Sequence, residues 1–148
     1  MAARQAVTGI AVRAATDANV TNAGTIRGGF AGIFGQTVTV TSNSGTIEST
    51  AANSRAIEAG VGGLTVNNSG TIQSNGLVGV ISDANADVTN NGGLIQATGF
   101  IGDGIKATGD ATVNNKLNGS SIGRIFGTRF GIDATNANVT STGVIGVD

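Results

Sequence analysis

The stretch Val66-Asn-Asn-Ser-Gly-Thr-Ile72 recurs along the chain, and this recurrence constrains the fold more than any single residue does. VTNAGTI occupies positions 20–26, VTSNSGTI 40–47, VTNNGGLI 88–95 and VTSTGVI 139–145, while VNNKLNGSSI at 113–122 is a stretched copy. Six copies in 148 residues specify an architecture. A repeat of this length cannot bury its apolar face alone and must stack on its neighbours.

The residues that fill the repeat favour strands. Thr, Val, Asn and Gly are poor helix formers, and no window carries a sustained three-four apolar rhythm. Short β-branched runs alternate with Gly/Asn clusters, as strands alternate with turns. With 39% hydrophobic residues and a net charge of -1, the chain is too apolar and too weakly charged for disorder.

Three inward columns can be followed down the sequence. The first is Ile26, Ile47, Ile72, Ile95, Ile122 and Ile145, spaced by 21 to 27 residues. The second is Val12, Ile33, Ile57, Ile81, Ile105 and Ile132, and the third is Val20, Val40, Val66, Val88, Val113 and Val139. The gap between columns suits a strand of about five residues plus a turn. The expected fold is therefore all-β: a parallel β-helix of three strands per coil, with six coils of about 24 residues. Residues 1–148 read as one such domain, expected to be a fragment of a longer repeat region. Phe30, Ala51, Leu77, Phe100 and Phe126 read as a fourth apolar column, an aromatic stack inside one corner.

Residues next to the inward aliphatics are expected to face solvent, because strand side chains alternate. After the first column these are Arg27, Glu48, Gln73, Gln96, Gly123 and Gly146. After the second they are Arg13, Phe34, Glu58, Ser82, Lys106 and Asp133. Stacking then sets Arg27 over Glu48 and Lys106 over Asp133. Exposed pairs of this kind contribute about 0 to 1 kcal/mol. Phe34 breaks the polar pattern and is read as a bulge or packing feature.

Asn22, Asn43, Asn68 and Asn91 each precede Gly24, Gly45, Gly70 and Gly93 by two positions. Asn and Gly tolerate positive φ, which a tight corner is expected to use. Stacked Asn amides would also hydrogen-bond up the corner. This ladder is expected to weaken at Lys116–Ser121 and at Thr142, where the phrase is eroded.

Composition excludes several function classes. The chain has no His, Cys or Tyr, which removes imidazole and thiolate metal sites, disulfides and most nucleophile–base pairs. Eight basic against nine acidic residues leave no basic stripe for nucleic acid and no polybasic patch for anionic lipid. Apolar runs are too short to span a bilayer as a helix, so no membrane insertion of this segment is expected. Residues 1–7 are too short and polar for a signal peptide.

Chemistry would have to come from Asp83, Asp87, Asp103, Asp110 and Asp133 with Lys106. Asp103 and Asp133 belong to different columns, so no cluster is expected, and these residues read as a solvated face or as turn formers. Gly102-Asp103-Gly104 is similar to one turn of a calcium-binding nonapeptide repeat, but such ligands act only in tandem and this one is single. Gly28-Gly29 and Gly62-Gly63 lack the context of a phosphate loop. Asn19-Val-Thr21 and Asn138-Val-Thr140 match a glycosylation acceptor as a by-product of the repeat. No catalytic, cofactor-binding or metal-binding residue is assigned, and no cofactor is expected.

The phrase V-x-N-x-G-T-I, followed by G-I-x-A and another Val strand, resembles bacterial autotransporter passenger domains and filamentous-haemagglutinin-like adhesins. The resemblance covers nearly the whole chain. It implies a right-handed β-helix exported to the bacterial surface and anchored through an outer-membrane barrel. A right-handed crossover is also the general preference of parallel strands. The sequence departs from that pattern in having no signal peptide, barrel strands or capping segment. The expectation is a rigid, non-catalytic stalk segment of a surface adhesin, presenting its faces to a host or cell-surface receptor or a polysaccharide. Two alternatives remain open: a polysaccharide-binding or -degrading β-helix, and a filament formed by end-to-end self-association.

Overall fold

The computed structural model describes residues 9–148, and the expectation about residues 1–7 lies outside them. It is a β-solenoid of six coils. The first contributes β1 (Ile10–Arg13), β2 (Asp17–Asn22) and β3 (Thr25–Gly28). The second fuses its first two strands into β4 (Ala31–Asn43) and closes with β5 (Thr46–Ser49), and the third repeats this as β6 (Arg55–Asn68) and β7 (Thr71–Ser74). The fourth has β8 (Val78–Ser82), β9 (Ala86–Asn91) and β10 (Leu94–Ala97). The fifth has β11 (Asp103–Asn118), the short β12 (Ser121–Ile122) and β13 (Arg124–Gly127), and the sixth has β14 (Phe130–Ser141) and β15 (Val144–Val147).

Coils pair in parallel. One sheet stacks β3, β5, β7, β10, β13 and β15 as the first side of the tube. A second sheet bends around the other two sides, with register shifts at the bend, for example between Gly35 and Thr37. Where the bend keeps its hydrogen bonds the two strands read as one. This is why the three runs of the repeat appear as two elements in coils two, three and six, and as two plus the short β12 in coil five.

The three inward columns form the core, with two corrections. Ile47, Ile72, Ile95 and Ile125 are fully buried, and Ile95 pairs with Ile125. Ile122, expected in that column, is 46% exposed. It sits in a small outward excursion, where Leu117 pairs antiparallel with Ile122 and Gly119 turns at φ +61. The extra residues of the fifth phrase are pushed out of the tube, so the stack keeps its register. In the second column, Val80 rather than Ile81 stacks between Ile57 and Ile105. Ile81 lies over Glu58 and Ser82 over Ala59, so Ser82 is buried and not outward. Adjacent β-branched residues at 80 and 81 fit either parity locally, and a one-residue slip exchanges the faces. The valine column keeps the expected register, from Val20 paired with Val40 to Val113 paired with Val139. It is buried from Val40 to Val113, whereas Val139 in the last coil is 41% exposed because no further coil covers it among the described residues. Each buried Ile or Val contributes about 1.5–3 kcal/mol.

The proposed interior aromatic stack does not form. Phe30 is 37% exposed, Phe100 97% exposed, and Phe126 lies half-buried in the outward column over Gln96. That corner is lined by small residues instead. Ser49 donates to Ser74 at 3.0 Å, and the Ser74 hydroxyl donates to the Ser54 carbonyl at 2.9 Å, all three being buried.

The opposite corner holds an amide ladder. Asn22 donates to Asn43 at 2.8 Å, Asn43 to Asn68 at 2.7 Å, Asn68 to Asn90 at 2.8 Å and Asn90 to Asn115 at 2.9 Å. The fourth rung is Asn90, not Asn91, which is exposed. The ladder does not weaken at the fifth coil, where Asn115 is fully buried and also donates to the Gly123 carbonyl at 3.0 Å. In the sixth coil Asn115 meets Ser141 at 3.3 Å, where no Asn continues the ladder. Among the described residues only Gly63, Gly92 and Gly119 have positive φ, and no Asn does. Gly45 and Gly70 are needed for another reason: a Cβ there would run into the carbonyl of Gly24 or Gly45 in the coil below.

Asn68→Ala leaves the Asn43 donor and the Asn90 acceptor short of a buried partner. The expected loss is about 1–3 kcal/mol for each group left unpaired. The neighbouring exposed Asn67→Ala stays within about 0.5 kcal/mol. Urea denaturation of the two variants checks the contrast.

Candidate functional site

Charged side chains converge on the outer face of the second side, in coils five and six. Asp103 opens β11 and is almost fully buried, and Lys106 follows three residues later on the same strand. Arg129 lies in the turn that leads into β14, one coil on, and Asp133 lies within β14. Arg129 grips Asp103 with two bonds, Nε to Oδ1 at 3.0 Å and Nη2 to Oδ2 at 2.5 Å. Lys106 Nζ is 2.7 Å from Asp133 and 3.7 Å from Asp103, and Arg129 reaches Asp133 at 3.5 Å. The Arg129 guanidinium also sits 4.9 Å from the centre of the Phe130 ring. Hydrogen bonding to Asp103 raises the Arg129 pKa above its ordinary value, so it stays charged.

The sequence-based expectation that Asp103 and Asp133 would not cluster is therefore corrected. They start from different positions on successive coils, but Arg129, which the columns leave out, bridges them. The separation of 26 residues between Arg129 and Asp103 is one coil, and it is the signal that finds the pair. Nor is Asp103 a turn former: it is a buried strand residue whose N–H donates to the Leu77 carbonyl at 2.9 Å.

The cluster balances two carboxylates with two cations. A carboxylate in a two-bond grip with a guanidinium is a strong, directional acceptor and a poor base. What the arrangement does physically is clamp coil five to coil six. Two coils below, Glu58 is half-buried and 3.6 Å from Arg55. Burial raises its pKa, an effect that Arg55 opposes and Asp83 reinforces. A shallow depression between the two groups is floored by Leu77, Val78, Ile81 and Ile101.

The remaining candidates are dispersed. Asp83 is exposed in the turn after β8. Asp110 accepts from Asn136 at 2.7 Å, and Asp87 is exposed on β9; both border a groove with Thr37, Thr65 and Thr112. Among the described residues no group of three or more acidic, His or Cys side chains could hold a metal ion. No described helix is long and apolar enough to cross a membrane. The pair Arg27–Glu48 forms across β3 and β5 as the columns indicate, as does Lys106–Asp133 across β11 and β14.

Beside the valine column the third side is nearly uniform in chemistry. The residues before the valine column are Asn19, Thr39, Thr65, Asp87, Thr112 and Asn138, stacked in register. Those after it are Thr21, Ser42, Asn67, Thr89, Asn114 and Thr140. Ser42 holds its place because register shifts around it absorb an extra residue in coil two. Asn19 and Asn138, the glycosylation-like positions, are strand residues of this face.

No protein-family model, characterised protein or solved structure matches this chain.

Asp103→Ala removes a buried acceptor from two cations and is expected to lower stability by about 1–3 kcal/mol. Asp133→Ala, at the exposed end of the same cluster, costs about 1 kcal/mol or less. Denaturation midpoints of the two variants separate the buried clamp from the surface pair.

Proposed function

We propose that this chain is a rigid spacer and interaction segment of a bacterial surface protein of the autotransporter or filamentous-adhesin type. It holds a binding region away from the cell and presents its outer faces to a receptor or a polysaccharide. The observation that carries this reading is the unbroken amide ladder beside fully stacked Ile and Val columns. A stack that keeps register through the insertion at Lys116–Gly123 behaves as one stiff body, and stiffness is what a stalk requires. Support also comes from the charged cluster, whose carboxylates are engaged by cations and fasten neighbouring coils. The repeat phrase adds the resemblance to surface proteins.

In a solenoid each coil depends on its neighbours alone. Deleting residues 66–87 joins Thr65 to Val88, which stacks on Val66 in the intact chain. The product is expected to fold with the same β-type circular dichroism, and solution scattering should show a rod shorter by about 4.8 Å. Loss of all structure would overturn the rod. For location, antibodies raised against the purified chain are expected to label intact, unpermeabilised source cells. Labelling only after permeabilisation overturns the surface assignment.

A further inference from the structure

The third side has a property that the stalk role does not call for. The two outward columns that flank the valines consist of short hydroxyl and amide side chains, with Asp87 as their one charge and no aliphatic or aromatic residue; a third outward column, at the bend, adds Asp17 and Asp110. The equivalent positions on the other sides have diverged: Arg13, Phe34, Glu58, Ile81, Lys106 and Asp133 share one column. All three sides come from the same repeat, so repetition by itself does not explain why one side stayed uniform. Strand propensity accounts for the threonines but not for Asn19, Asn67, Asp87, Asn114 and Asn138, residue types that strands disfavour. The core makes no demand on residues that point away from it.

The polar groups of this face are also unused. Among the described residues, Asn67 alone of the two columns makes a side-chain hydrogen bond within the protein, to the Thr41 carbonyl at 3.3 Å. Elsewhere the same residue types are engaged: Thr128 donates to Gly99, Thr135 to Thr108, and the ladder amides to one another. Apart from the buried Oδ1 of Asn114, the third side therefore exposes donors and acceptors at regularly spaced points. Those points repeat about every 4.8 Å up the stack and roughly every 6.6 Å across the strand, where the two columns flank the valine. Few ligands repeat on both spacings. Hexagonal ice does so closely, offering oxygen atoms that both donate and accept.

We propose that this Thr/Asn face binds the surface of an ice lattice. Threonine suits the task because its hydroxyl bonds to lattice water while its methyl restricts the orientations of the water beside it. The low charge of the two central columns matters equally, since each ion holds a hydration shell that does not conform to the lattice; Asp17 and Asp110 stand at the border of the face, by the bend. A crystalline polysaccharide is the weaker candidate, because the face offers sugar rings no aromatic platform. The proposal does not rest on the surface-protein reading; it needs only the stacked coils.

The test uses the purified chain in ice-affinity partitioning, with crystal shape and freezing hysteresis read by nanolitre osmometry. The chain is expected to concentrate into slowly grown ice and to facet crystals. Thr65→Lys combined with Thr112→Lys places two long cations in the middle of the face and is expected to abolish both effects. Gln73→Lys combined with Gln96→Lys, on the first side, is expected to leave both unchanged. Circular dichroism verifies the fold of each variant. If the lysine pair does not fold, Thr65→Gln with Thr112→Gln replaces it under the same expectation. Exclusion of the parent chain from ice overturns the proposal, as does full activity in a folded grid variant. Binding to microcrystalline cellulose or chitin with no effect on ice likewise overturns it and assigns the face to a carbohydrate lattice.

Discussion

Every inward side chain of the described coils is constrained by its counterpart one coil away. Parallel strands stack about 4.8 Å apart, so an inward residue is tolerated only if the residues above and below it leave it room. The amide ladder from Asn22 to Asn115 is the strictest expression of this rule. Each amide satisfies a buried group of the next, so a polar corner can be dry without leaving donors or acceptors unpaired. Ile columns do the same for packing. The glycines beside the ladder follow from the same closeness, because the backbone of one coil occupies the space a side chain of the next would need.

The stack tolerates irregularity by exporting it. The extra residues after Lys116 leave the tube as a short antiparallel turn, and Lys116 O accepts from both Gly92 N and Gly123 N at 3.0 Å to close its base. The register shifts in β4 perform the same service for one extra residue in coil two. Aromatic rings are exported as well. Phe30 and Phe130 lie outside the core and are covered by Arg55 and Arg129. The core is left to residues small and regular enough to repeat.

Freedom belongs to the outer faces, and they use it differently. The second side has acquired charge, culminating in the Asp103–Arg129 clamp that ties coil five to coil six. The third side has kept short hydroxyl and amide side chains beside its valines, with Asp87 as the exception. A solenoid separates these tasks because inward positions set stability and outward ones are free to specialise.

How far the residues alone reach is clearest where copies of the repeat are compared. The period, the all-β class, the valine column and the first three rungs of the amide ladder are legible, because β-branched residues and Asn-x-Gly recur at matching spacings. Four assignments are not legible: Ile125 in place of Ile122, Val80 in place of Ile81, Asn90 in place of Asn91, and an outer rather than inner place for the Phe residues. Each stands where two neighbouring residues fit the pattern equally well or where an insertion hides the phase. A one-residue slip exchanges the faces, and nothing local resists it. The coils above and below decide, since only one phase stacks Val80 between Ile57 and Ile105 and keeps Asn90 within reach of Asn68. The charged cluster was hidden for a related reason: Asp103 and Arg129 are far apart in sequence and meet only because one coil separates them. Sequence determines the repeating unit, and tertiary stacking decides the phase, because register is a property of neighbours and not of any segment alone.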